Sequence, residues 1–219
     1  MSVDIGSNNY EEECFMLKKL ASDALGLSDI GLVVPKEEFD KTESDDFVMH
    51  ESGEVVYFLI KTKSDEYCFT NQALIHVDGD SAISKKRLLK RYDYEHSTIS
   101  DVMLETAGTI DLDIEIKFTI DNIPMSIDIH KKFDTEIKDL YKALHAISVE
   151  MLHNKKNLEI AQNSLSYAAQ SIGKVEAKDV TPAQSFEQIT KFANDWVLKS
   201  KEQYLRKDYS DIFELYING

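Results

Sequence analysis

The spacing of hydrophobic positions changes along this chain, and each change predicts a different kind of element. Over residues 10–26, "YEEECFMLKKLASDALG", the positions Tyr10, Cys14, Leu17, Ala21 and Leu25 recur at intervals of three and four, with acids first and Gly26 last. That spacing predicts an amphipathic helix whose charges suit its dipole and whose glycine ends it. A polar, acidic connector follows to about Gly53, with Pro35 as a breaker. From Glu54 to His130 the period becomes two. "EVVYFLIKTK" and "DEYCFTN" are joined at "KSDE", "ALIHV" ends at an aspartate-glycine turn in "DGDS", and "KKRLLKRYDY" and "STISDVMLE" follow. "TIDLDIEIKFTI" then alternates cleanly, "DNIP" turns the chain, and "IPMSIDIH" repeats the alternation. About seven short strands with hairpin-length links predict an antiparallel sandwich or partly open barrel. Half-buried alternation argues against a parallel sheet covered by helices on both faces.

Beyond His130 the pattern becomes helical. Ile137, Leu144, Met151, Leu158, Leu165 and Ile172 recur at every seventh position, and Leu140, Ile147, Asn154, Ala161 and Ala168 follow three residues after the first five. This heptad seam, interrupted by one polar residue at Asn154, predicts a continuous helix from about 132 to 172. Such a helix spans roughly 60 Å, more than one small β-domain covers. Its first turns are expected to cap the sandwich and the rest to pack elsewhere. "GKVEAKDVTPAQ" breaks the pattern, with Thr181 placed as N-cap and Pro182 at the first helical position. Phe186, Ile189, Phe192, Ala193, Trp196 and Val197 then form an apolar stripe on a second helix, expected over about 182–207, and the two helices make an antiparallel hairpin. The closing "DYSDIFELYING" is dense in apolar residues and is expected to dock on the hairpin or on a neighbouring subunit. The expected division is a mainly β domain with an N-terminal helix over 1–150 and a helical extension over 151–219.

Composition narrows the functional classes. A chain of 219 residues with 42% hydrophobic and 30% charged residues is expected to fold and to be soluble. No stretch approaches the roughly 20 apolar residues that cross a bilayer, and the N-terminus lacks the basic and apolar parts of a secretory signal. The net charge of −15 disfavours nucleic acid and anionic membranes as default partners. Cys14 and Cys68 lack metal or redox spacing and read as reduced thiols of a cytoplasmic protein. The six histidines have no zinc-site spacing. "HVDGDS" lacks the further ligands of a calcium loop, and the carboxylates of "DLDIEI" stand some 6.6 Å apart along one strand face, too far for one cation to bridge unaided. No phosphate loop, nucleophile elbow or Cys/His pair appears, so neither an enzyme nor a cofactor is expected.

"SDEYCFTNQALIHVDGDSAISKKRLLKRYDY" followed by "ISDVMLETAGTIDLDIEIKF" resembles the bacterial pleckstrin homology (PH) family, over roughly Tyr10 to Ile147. The downstream hairpin resembles the YvbH-like oligomerisation extension that some members carry. The resemblance implies a PH-like fold, oligomeric assembly and no catalytic residues. Phosphoinositide-binding relatives use basic residues around the first hairpin; here "KTKSDEY" offers Lys61 and Lys63 but also Asp65 and Glu66.

The run Lys85, Lys86, Arg87, Lys90 and Arg91 stands out in so acidic a chain. Lysines on both faces of a strand suit an exposed sheet edge guarded against stray pairing. A second reading pairs the run with acidic rows such as Asp111, Asp113 and Glu115, within the subunit or across a boundary. A third makes it a patch for an anionic lipid or phosphate. The expected function is a non-catalytic PH-like module that self-associates, with Ile137, Leu144, Met151, Asn154, Leu158, Leu165 and Ile172 as a candidate oligomerisation seam. The alternative is a peripheral membrane or anionic-ligand module that uses residues 85–91. A further protein partner is compatible with either.

Overall fold

A computed structural model describes residues 30–79, 87–106, 113–172 and 181–219. The helix expected over 10–26 lies outside them, as do Cys14, Lys85, Lys86 and Asp111. Short strands pair with their chain neighbours to build two antiparallel sheets. The first runs in the order β1 (Leu32–Val33), β2 (Val56–Lys61), β3 (Glu66–Thr70), β4 (Ala73–Gly79) and β5 (Arg87–Asp93). The second contains β6 (Ile99–Glu105), β7 (Asp113–Ile120) and β8 (Ile123–His130). Among the described residues seven strands of five to eight residues are therefore joined by the two-residue β1, which the sequence pattern does not announce.

β7 and β8 follow the alternation rule closely. Ile114, Ile116, Phe118 and Ile120 are buried, and so are Met125, Ile127 and Ile129 opposite them. Their two-residue link, Asp121-Asn122, has φ of 50° and 66°. Positive φ at both central positions gives a turn twisted to suit the strands, and Asp and Asn tolerate that region better than most residues. Gly31 then ties the sheets together. Its N–H donates to the Asp128 carbonyl at 2.7 Å and its own carbonyl accepts from His130 N at 3.0 Å, while the next two residues pair with β2. A Cβ at Gly31 would lie 2.8 Å from Ile60 Cγ2 and 3.1 Å from the Asp128 carbonyl oxygen, so only glycine permits this approach.

β2, β3 and β4 depart from alternation because both of their faces are covered. One face joins the main core. On the other, Leu59, Cys68, Ala73 and Ile75 form a second cluster with Val48, against which Val34 and Phe39 pack. The cover is the acidic connector, wound into 3₁₀ turns at Lys36–Lys41, Glu43–Phe47 and His50–Ser52. Strand β4 also runs through Asp78 and Gly79, which pair with Leu88 and Arg87. The turn expected at "DGDS" therefore does not begin at Asp78, where the backbone is still extended and laddered to β5.

After a 3₁₀ turn at Lys131–Phe133 comes helix α1 (Asp134–Ile172), then α2 (Pro182–Tyr204) and α3 (Ser210–Ile217). Thr181 caps α2 as expected, in a reciprocal capping box with Gln184. The helix ends at Tyr204, short of 207, and the chain then turns back to the sandwich. The main core joins both sheets to Ile137, Leu140, Leu144 and Ile147 of α1 and to Tyr209, Ile212 and Phe213 at the chain's end. The apolar terminus thus docks within its own chain, on α1 and β2, with Phe213 stacked on Tyr57 at 5.2 Å between ring centroids.

Candidate functional site

Two surfaces bear on function, the cationic strand β5 and the helical hairpin. β5 is the last strand of its sheet, and the three candidate cations it carries, Arg87, Lys90 and Arg91, are each engaged within the chain. Arg91 makes two hydrogen bonds, both 3.1 Å, to the carboxylate of Glu54, and its Nε lies 2.7 Å from Asp93 Oδ1. Glu54 has no exposed side-chain surface and also accepts from Thr70 Oγ1 at 2.5 Å and Met49 N at 2.7 Å. Lys90 Nζ meets Asp78 Oδ2 at 2.5 Å. The hydrogen bond from Lys90 is the main reason why the Asp78 carboxyl is held below its ordinary value. Arg87 donates to the Ser64 carbonyl and lies 3.5 Å from Glu43. Within the chain the bonds of Arg87, Lys90 and Arg91 go to other groups than Asp113 and Glu115, and Glu115 pairs with Lys117 at 2.7 Å on the other sheet; Asp111 lies outside the described residues.

At the first hairpin Lys61 meets Glu66 at 2.5 Å, and Glu66 also accepts from Ser44 N at 2.8 Å. Burial alone would raise the Glu66 carboxyl, but these hydrogen bonds outweigh it and hold the group below its ordinary value. Beside them His76 Nε2 lies 3.1 Å from Asp65 and its ring stacks on Tyr67 at 4.3 Å. Burial, then Glu54 and Asp45, push the Cys68 thiol far up, so it is not a reactive thiolate. Among the described residues no three His, Cys, Asp or Glu side chains gather as a metal site. None of the helices described is long and apolar enough to cross a membrane.

The hairpin is built differently. The heptad stripe of α1 changes partner along its length. Ile137, Leu144 and Met151 lie in the sandwich core, whereas Leu158 and Leu165 are half-buried on the side that meets α2. Ala161, whose side chain is buried, gives its carbonyl to the Trp196 indole N–H at 3.0 Å. Asn154 stands where the partner changes, half-buried in a cleft with Met151, Tyr94, His96 and Arg206. Ile172 is helical.

The root of the hairpin is clamped to the sandwich. Arg206 Nη1 donates to Glu150 at 2.6 Å and its guanidinium lies 4.6 Å over the Tyr209 ring. Asn71 Nδ2 donates to Asp208 at 2.8 Å, and the Asn71 carbonyl accepts from Tyr209 N at 2.9 Å. Farther out, the arms leave large apolar side chains exposed. Phe186 is 74% exposed, Tyr167 68%, Phe192 63% and Ile160 62%. The seam residues from Ile137 to Leu165 are buried or half-buried, and the exposed side chains beside them were missed as a surface. Their signal was present in α2, which has more apolar residues than a single contact face holds.

A two-sheet antiparallel sandwich closed by a C-terminal helix and extended by a clamped helical hairpin defines a PH-like module with an appendage. Residues 24–148 match the bacterial PH domain family and residues 159–219 match the YvbH-like oligomerisation region. The chain belongs to the bacterial PH domain family. It is 49% identical over 204 residues to the uncharacterized protein YvbH of Bacillus subtilis (strain 168), covering 93% of this chain and 100% of that one. It is also 34% identical over 96 residues to uncharacterized protein YjqA of the same organism, covering 43% of this chain and 75% of that one. A crystal structure of a PH domain containing bacterial protein from Exiguobacterium sibiricum 255-15 is 47% identical, with a TM-score of 0.82 over 87% of this chain and all of that one.

Proposed function

We propose that this protein is a non-catalytic, cytoplasmic PH-like module that self-associates through the part of the hairpin beyond Met151. The observation that carries the reading is the set of large apolar side chains on α1 and α2 that the chain leaves uncovered, Tyr167, Phe186 and Phe192 foremost. Exposed apolar area of this kind, on helices whose root is fixed by polar contacts, suits a protein contact. The name of the matching region, an oligomerisation region over 159–219, supports the same reading. Ile137, Leu144 and Met151 then serve the fold, while Leu158 and Leu165 hold the hairpin that presents the contact. The anionic-ligand reading of Lys85, Lys86, Arg87, Lys90 and Arg91 draws less support, because Arg87, Lys90 and Arg91 are already engaged with acids or a carbonyl.

Light scattering coupled to gel filtration tests the proposal over a range of protein concentration. A mass that is a multiple of one chain, and that persists as salt is raised, is expected of an apolar contact. A single-chain mass at every concentration would sink the reading. Dissociation by salt would instead favour assembly through charged surfaces.

A further inference from the structure

One face of the hairpin carries a ridge beside a furrow. Leu165, Ala168 and Ala169 of α1 and Ile189, Phe192 and Ala193 of α2 line a shared groove, and no charged residue lies in its lining. The α1 side is low, because Ser166, Ala168 and Ala169 are small. The α2 side is high, because Phe192 stands 63% exposed and stacks on Trp196 at 6.3 Å between ring centroids. Trp196 in turn donates its indole N–H to the Ala161 carbonyl, which ties the foot of the ridge to α1.

We propose that a second copy of this chain occupies this groove, the two hairpins being related by a two-fold axis, so that Phe192 of each copy enters the Ala168–Ala169 furrow of the other. The proposal rests on the self-association reading above and specifies its geometry. A ridge and a furrow side by side on one surface complement each other when the surface is turned through half a rotation against itself, as an isologous contact requires. Small residues let the backbones approach, and a buried aromatic set in a shallow pocket is the kind of group that dominates such contacts. Charge distribution favours the same place. Residues 152–204 carry seven lysines against six acids, a net of +1, whereas the remainder of the chain carries −16. Two copies that meet hairpin to hairpin keep the strongly acidic remainders of the two chains apart.

The test uses the full chain and its mass in solution. Phe192→Asp is expected to reduce the mass at least twofold, to that of a smaller assembly or a single chain, with an unchanged circular dichroism spectrum, because the ring is exposed. Ala169→Trp, which fills the furrow, is expected to do the same. Ile160→Asp is the control: it is also exposed but lies about 140° round α1 from Leu165, and its mass is expected to match the parent's. In a Cys14→Ser background, tagged chains with Ala169→Cys mixed with untagged chains with Phe192→Cys are expected to form a disulfide-linked pair on oxidation. If the parent assembles and Phe192→Asp leaves the mass unchanged, or Ile160→Asp alone reduces it, this geometry is overturned while self-association stands. If the parent is a single chain throughout, both readings fail. A single chain that binds phosphatidylglycerol vesicles through Phe192 would assign the groove to a membrane and overturn the proposal too.

Discussion

Glu54 and Arg91 form a pair with one member fully enclosed and the other held by two parallel hydrogen bonds. Removing one partner of such a pair leaves a charge where water does not reach it. Arg91→Ala is therefore expected to lower the unfolding free energy by about 3 kcal/mol in urea titrations. Arg87→Ala, whose partner Glu43 is exposed, is expected to change it by less than about 0.5 kcal/mol. A parallel loss for both would mean that the run acts as one patch. Glu66 makes a pH prediction. Its folded value lies below the ordinary 4.5, so its contribution is complete above that value and is lost as pH falls through the lower, folded one. Glu66→Gln is expected to reduce stability at neutral pH and to flatten the loss of stability below pH 4.5, measured as urea midpoints against pH. The cations themselves were legible in the sequence. Their partners were not, because Glu54 stands 37 positions from Arg91 and only the ladder of β2 to β5 brings the two together.

Among elements, the β7–β8 hairpin was the most legible, since alternation, a short polar turn and a solvent face all agree there. Asn122 holds φ of 66° at its turn. Asn122→Gly is expected to leave the melting temperature unchanged or raise it, and Asn122→Ala to cost roughly 1 kcal/mol. Equal stability of the two variants would show that the turn relaxes to another geometry. β2 to β4 were legible as strands but not as a sheet covered on both sides. Their cover is a segment rich in acids, where Val34, Phe39 and Val48 are too widely spaced to show a period. The heptad of α1 carries a similar lesson. A period of three and four residues says that one face is covered, yet it does not say by what, and here the sandwich covers Ile137 to Met151 and α2 covers Leu158 and Leu165.

At the scale of the molecule, the chain's end completes the core that its middle begins. Tyr209, Ile212 and Phe213 share one cluster with the strands of both sheets, and Phe213 stacks on Tyr57 with no exposed surface. The sequence showed that "DYSDIFELYING" must dock, but a short apolar stretch fits many grooves, and its address is set by the clamp at Asn71, Glu150 and Arg206. Residues of the chain's end are therefore part of the sandwich core and not only of the hairpin. Phe213→Ala is expected to cost about 3 to 5 kcal/mol, as deletion of a fully buried ring does. Phe186→Ala, on the exposed arm, is expected to cost under about 0.5 kcal/mol in a dilute sample where chains do not associate. Amide exchange should follow the same division, with slow exchange from Ile137 to Met151 and faster exchange along α2, which packs on one side only. Fast exchange at Ile137 to Met151 after Phe213→Ala, with α2 unchanged, would locate the loss in the shared core; an equal change in both would mean that hairpin and sandwich unfold as one unit.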